Sequence, residues 1–160
     1  MGILGQLPIE IYIILMSATP IVELRGAIPL AWQMGLQPGS AFFLAVLGNL
    51  LPVIPLLLAL KLVRDFTEKR IPPIKSFFAW LDQRTHLRSE RVEKYGVLGL
   101  ILLTAIPLPT TGAWTASLAA VLFKLPFWSS FFAITGGVIL AGVLVMLFTF
   151  GFVPVILGLG

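Results

Sequence analysis

Three stretches of this chain contain no Asp, Glu, Lys or Arg: Gly26 to Leu60 (35 residues), Tyr95 to Phe123 (29) and Leu125 to Gly160 (36). Each exceeds the roughly 20 residues that a helix needs to cross a bilayer. Backbone polar groups in lipid must be satisfied within helices or closed barrels, so stretches of this length leave few folds open. A mean hydropathy of +1.02 and a charged fraction of only 11% lie outside the range of soluble globular chains. The expected class is an all-α integral membrane protein, a single domain over 1–160, because each apolar segment needs the others as neighbours. The start Met1 to Pro8 lacks the basic region and cleavage site of a signal peptide, so the N-terminus is expected to belong to the mature protein.

The charge is concentrated in one place. Nine of the eleven basic residues and five of the seven acids lie between Lys61 and Lys94, so this segment carries the whole net charge of +4. A basic cluster can bind nucleic acid, but in a chain this apolar the positive-inside rule favours a cytoplasmic loop. The expectation is therefore a multi-pass protein of the cell (inner or plasma) membrane with linker 61–94 in the cytoplasm and no nucleic-acid partner. There is no Cys, and His86 is the single His, which excludes thiol chemistry and disfavours a His-based metal centre. With no metal cluster, phosphate loop or nucleophile beside a His, neither an enzyme nor a cofactor is expected.

The apolar runs are broken in a particular way. Ile9 to Ala18 is apolar but ten residues reach only about 15 Å of a roughly 30 Å core. Pro20 interrupts, Glu23-Leu-Arg25-Gly26 follows as a turn region, and Ala27 to Leu36 forms a second short limb. Two half-length helices with a polar, Pro/Gly-broken centre describe a re-entrant hairpin; one kinked helix from Ile9 to Leu36 is the alternative. Gln37-Pro38-Gly39-Ser40 reads as a turn and helix start, and Ala41 to Leu60 as a full span despite Pro52 and Pro55. After Pro72-Pro73, apolar Ile74, Phe77, Phe78 and Leu81 follow helical spacing, an amphipathic helix for the interface that places Trp80 near the headgroups. It would contact anionic lipid or pack as a surface helix on the bundle.

From Tyr95 the pattern begins again. Gly96 to Ala105 is a short limb, Pro107-Leu-Pro109-Thr110-Thr111-Gly112 a second broken polar centre, and Ala113 to Phe123 a return limb. Lys124-Leu-Pro126 turns the chain into a long apolar segment that must tilt, break near Gly151 or fold back. Pro20 matches Pro107 at an offset of 87; Pro38, Phe43, Ala45 and Gly48 match Pro126, Phe131, Ala133 and Gly136 at 88. The identities are few, so chance remains open. The expected organisation is repeat 1 over 3–63, linker 64–94 and repeat 2 over 95–160, each repeat a re-entrant helical hairpin followed by a transmembrane helix and the two inverted across the membrane, as in many secondary transporters.

Broken helices present free N–H and C=O groups to a central cavity. An anionic group would meet N–H groups, Arg25, Thr110 and Thr111, with Asn49, Thr104, Thr115 and Ser117 as further liners. Glu23 at such depth costs on the order of 3 kcal/mol unless paired or protonated. It either pairs with Arg25 to lock the fold or titrates as a proton-coupling site while Arg25 holds a substrate. The candidate site is thus Glu23, Arg25, Gly26, Pro20, Pro107, Pro109, Thr110, Thr111, Gly112, Trp114 and Asn49, although Trp32 and Trp114 also fit interface anchors.

Pro20-Ile-Val-Glu-Leu-Arg-Gly-Ala-Ile-Pro29 and Ile106-Pro-Leu-Pro-Thr-Thr-Gly-Ala-Trp-Thr115 resemble the family labelled "putative small multi-drug export protein", over most of the chain. That family is distantly similar to the DedA/VTT superfamily, whose members have two inverted re-entrant hairpins and in several cases translocate lipids. The resemblance implies that Glu23 and Arg25 match the acidic and basic residues of the first hairpin. The second hairpin departs from that pattern, because Pro107 to Trp114 carries no charge where those relatives have arginines. Together the residues and the resemblance suggest a transporter or flippase for a lipid-linked or amphiphilic anion such as a polyprenyl phosphate, with protons or another ion for coupling. An exporter of amphiphilic or cationic compounds and a non-transporting scaffold are the alternatives. Membrane lipids are expected partners, and a homodimer would shield the breaks of so small a bundle.

Overall fold

A computed structural model describes residues 8–70, 89–106 and 112–152. The amphipathic helix expected after Pro73, and Pro107, Pro109, Thr110 and Thr111 of the second break, lie outside the described residues. Every regular element among the described residues is helical. In order they are α1 (Ile9–Ala18), α2 (Glu23–Gln33), α3 (Pro38–Leu50), α4 (Val53–Arg70), α5 (Ser89–Ala105), α6 (Ala113–Leu122) and α7 (Phe127–Met146), with α7 running into a π-helical segment over Leu147–Phe152.

Among the described residues, two stretches are long and apolar enough to cross a membrane. Pro38–Phe66 has 29 residues, with an 18-residue window of mean hydropathy 2.4; Phe127–Gly151 has 25 residues, with such a window at 2.5. The first comprises α3 and most of α4, which follow one another across a turn at Leu51–Pro52. Pro52 has no N–H to donate to the preceding turn, so an interruption there is the local consequence of sequence. The last apolar segment widens into the π-helix from Leu147, and Trp32 of α2 packs edge-on against Phe150 there, ring centroids 6.0 Å apart.

The short helices pack against these. α1 lies on α2 and α3, and α5 on α6 and α7, while α2 with α7, α3 with α7 and α4 with α6 join the two halves. Ile9–Ala18 and Glu23–Gln33 are separate helices divided by Thr19–Val22, so one continuous kinked helix from Ile9 to Leu36 does not form. Small residues allow the close crossings. A Cβ on Gly48 of α3 would overlap the Ile14 carbonyl of α1, and one on Gly137 of α7 would lie 2.8 Å from the Ile101 carbonyl of α5. Ser17 of α1 adds a hydrogen bond to the Ala45 carbonyl of α3.

Local geometry recurs along the chain. At the end of α2 the N–H groups of Met34, Gly35 and Leu36 bond the carbonyls of Leu30, Trp32 and Ala31; at the end of α6 those of Phe123, Lys124 and Leu125 bond Ala119, Val121 and Ala120. Both are Schellman endings, 89 residues apart, with Gly35 (φ 82°) and Lys124 (φ 53°) in the left-handed position that closes them. The spacing also pairs Gly48 with Gly137, since a Cβ on Gly136 would meet nothing within 4 Å. Ile14 and Ile101, on the helices before the breaks, are 87 apart. The spacing of 87 before the break is the one read from sequence for Pro20 and Pro107, whereas after the break the recurring geometry is spaced by 89 and not by the 88 that the identities of Pro38 to Gly48 give.

Candidate functional site

Glu23 opens α2 instead of lying in a turn. It is 7% exposed and has a left-handed backbone, φ 48°, a conformation costing roughly 1–2 kcal/mol for a residue with a Cβ. Its N–H bonds the Thr19 carbonyl at 3.2 Å. Thr19, which the sequence reading passed over, spans the break from the other side. Its hydroxyl donates to the Met16 carbonyl of α1 at 2.7 Å and accepts from the Val22 N–H at 3.3 Å. Such a hydroxyl bridge is a local signal that a Ser/Thr-turn search around Pro20 would find.

The side chain of Glu23 belongs to the other half of the chain. Its carboxylate accepts a hydrogen bond from the Trp114 N–H and lies so close to Gly112 that a Cβ there would overlap both oxygens. Gly112 is the residue before α6 and has no side chain to cap it; Trp114 is the second residue of the helix. A carboxylate from α2 therefore fills the capping position of α6, where the free N–H groups and the positive end of the helix dipole favour an anion. Thr115 completes the cap, its hydroxyl accepting from the Gly112 N–H at 2.9 Å.

Arg25 holds the other edge of the same gap. One guanidinium nitrogen donates to the Ile106 carbonyl at 2.9 Å and the Thr104 carbonyl at 3.4 Å. These acceptors end α5, where a cation complements the negative end of the dipole. Two residues of α2 thus clamp both ends of the second break: the acid on the start of α6, the base on the end of α5. The Glu23 and Arg25 charges also interact with each other electrostatically. Residues i and i+2 leave a helix in different directions. Here that divergence sends them to opposite edges of one gap.

A family model for "Putative small multi-drug export protein" matches residues 23–144. The chain belongs to this family. No curated protein and no solved structure matches it. The matched segment begins at Glu23 itself and takes in Arg25, both edges of the second break and most of α7.

Of the expected site residues, the structure brings together Glu23, Arg25, Gly112 and Trp114. The Trp114 Nε1 is buried without a hydrogen-bond partner. Pro20 is exposed at the first break, and Gly26 sits one turn after Val22, whose Cγ1 would be 2.7 Å from a Cβ. Asn49 is buried on α3, with an Oδ1 that has no partner. Thr104 and Ser117 return their hydroxyls to the carbonyls of Leu100 and Ala113, each at 2.7 Å. Arg64, at the start of the basic linker that the sequence places in the cytoplasm, is 6% exposed and donates to the carbonyls of Val121 and Leu122 at the end of α6. No signal in the local sequence distinguishes it from its exposed neighbour Lys61.

Proposed function

We propose that this protein exports small amphiphilic molecules across the membrane, with an exchangeable proton on Glu23 governing the gap between two broken-helix hairpins. The observation that carries this reading is the Glu23 carboxylate on the start of α6 beside Arg25 on the end of α5. In it, α1–α2 and α5–α6 are re-entrant hairpins entering from opposite faces, each followed by a spanning element, α3–α4 or α7, as inverted repeats. The ten residues of α1 and of α6 reach about 15 Å each, half of a roughly 30 Å core, so the clamp lies near the midplane. The matching helix endings and glycine crossings in the two halves support the repeat.

Ionised Glu23 acts as an internal anion that fills the positive start of α6 and holds the hairpins together. A protonated carboxyl accepts the Trp114 N–H bond more weakly, because charge-assisted bonds are roughly twice as strong. The vacated N–H groups and Arg25 then suit the anionic head of an amphiphile, such as a polyprenyl phosphate, whose tail stays in lipid. Thr110, Thr111, Pro107 and Pro109 lie in the connection that the clamp spans and would line the site. Among the described residues Glu23 is the buried carboxylate, which favours a second reading in which a cationic compound and the proton compete for it.

Proteoliposomes under an imposed pH gradient test both, with a fluorescent polyprenyl phosphate and a cationic dye assayed in parallel. Gradient-dependent movement of the anion, lost in Glu23→Gln and Arg25→Gln variants of unchanged helicity, is expected. Movement of the dye alone would select the second reading. If folded wild-type protein moves neither, Glu23 and Arg25 only lock the fold.

A further inference from the structure

A second polar site lies at the opposite end of α6 from Glu23. A cavity of about 310 Å³ opens there between α4, the end of α6 and the start of α7. Lys61, Arg64 and Lys124 line it together with one carboxylate, Asp65, so it holds two net positive charges. Leu57, Leu125 and Phe127 supply apolar walls.

Ser130 distinguishes this cavity from a solvated basic patch. The residue is 1% exposed, lines the cavity, and its Oγ has no hydrogen-bond partner. A helical serine ordinarily returns its hydroxyl to the carbonyl four residues back, as Ser117 does. Leaving a buried hydroxyl unpaired is costly unless something else meets it. The start of α7 faces the same place: Pro126 provides no side-chain cap, so the first-turn N–H groups remain for a ligand. Lys124 occupies the left-handed closing position that Gly35 fills in the first half, where glycine carries no steric penalty. On α4, the neighbouring Leu58 and Leu62 are 49% and 70% exposed, an apolar surface beside the charged mouth.

We propose that this cavity binds a phosphate group carried by an anionic amphiphile, with Lys61, Lys124, Ser130 and the first N–H groups of α7 meeting its oxygens. Arg64 keeps its bonds to the end of α6 and adds charge to the wall. The shared chemistry is a terminal phosphate group, carried as a monoester by a lipid such as phosphatidic acid or present as free inorganic phosphate. The site does not depend on Glu23 or on any transport cycle.

Full-length protein in maltoside micelles, titrated with a fluorescent short-chain phosphatidic acid, tests this, with the matching phosphatidylcholine as control. Saturable binding of phosphatidic acid is expected. Ser130→Ala and Lys124→Gln should each weaken it about tenfold, the usual scale for losing a hydrogen bond to a charged group. Gly136→Ala, whose added methyl meets nothing, should bind as wild type does, and losses confined to Ser130 and Lys124, which lie outside the Glu23–Arg25 clamp, separate this site from the transport reading. Inorganic phosphate competing at similar concentration would assign the site to free phosphate, and its failure to compete to the lipid. Equal affinity for phosphatidylcholine, or undiminished binding by Ser130→Ala, Lys124→Gln and Lys61→Gln, would overturn the proposal.

Discussion

Replacing Gly112 with alanine isolates the clamp from everything else in the fold. Gly112 has φ 166°, extended backbone that alanine adopts freely, so the substitution introduces no backbone strain. Its new methyl group would overlap the Glu23 carboxylate. That carboxylate ends a flexible side chain and can move aside, which means the cost is the lost hydrogen bond to Trp114 and not a lasting clash. A hydrogen bond to a charged group contributes about 1.5–3 kcal/mol, so Gly112→Ala should destabilise by about 2 kcal/mol. In a Glu23→Ala background the methyl has room and the bond is already gone; the same change should then cost under about 1 kcal/mol, the scale of a poorer cap residue. Reversible unfolding of the four proteins by SDS in mixed micelles gives the double-mutant cycle, with an expected coupling of about 1–2 kcal/mol. Equal costs in the two backgrounds would refute the capping role of Glu23.

Other substitutions probe the rest of the frame. Gly48→Ala and Gly137→Ala push backbone against backbone at the two helix crossings and should each cost about 1–3 kcal/mol, whereas Gly136→Ala meets nothing and should be neutral or stabilising by up to about 1 kcal/mol in the same unfolding assay. Arg64→Met removes the donor on the last carbonyls of α6 and should lower stability by about 1.5–3 kcal/mol, read as a lower thermal midpoint in micelles. Thr19→Val keeps the shape at the first break but loses both hydroxyl bonds, and should cost about 1 kcal/mol.

Much of this frame is legible in the sequence, for physical reasons. The helix that the sequence predicts over Ile9 to Ala18 has those bounds, because Pro8 and Pro20 bracket a charge-poor run. The limb predicted from Ala113 ends within a residue of α6, since Gly112 and the turn before Pro126 punctuate it. The Glu-Leu-Arg stretch was harder to place. Its Pro and Gly neighbours suggest a turn, yet it forms the first turn of α2, where a left-handed Glu23 is stabilised by a partner about 90 residues away. Local pattern carries no signal for such a contact. Arg64 is hidden for the same reason, because a cation at the end of an apolar run looks like an exit to water until the end of another helix is packed against it. The offset of 88 read from identities after the break is one short of the 89 that separates the two helix endings, which only their hydrogen bonds show.

The central claim is that the Glu23 carboxylate sits on the Trp114 N–H and leaves it when protonated. With only 4 Trp in the chain, selective ¹⁵N-Trp labelling lets the Trp114 amide be followed by NMR in micelles as pH is varied. The account predicts a downfield Trp114 amide proton that moves upfield through one transition on acidification, and that stays at the upfield position at every pH in Glu23→Gln. A Trp114 amide insensitive to pH, or one that titrates identically in Glu23→Gln, would contradict it.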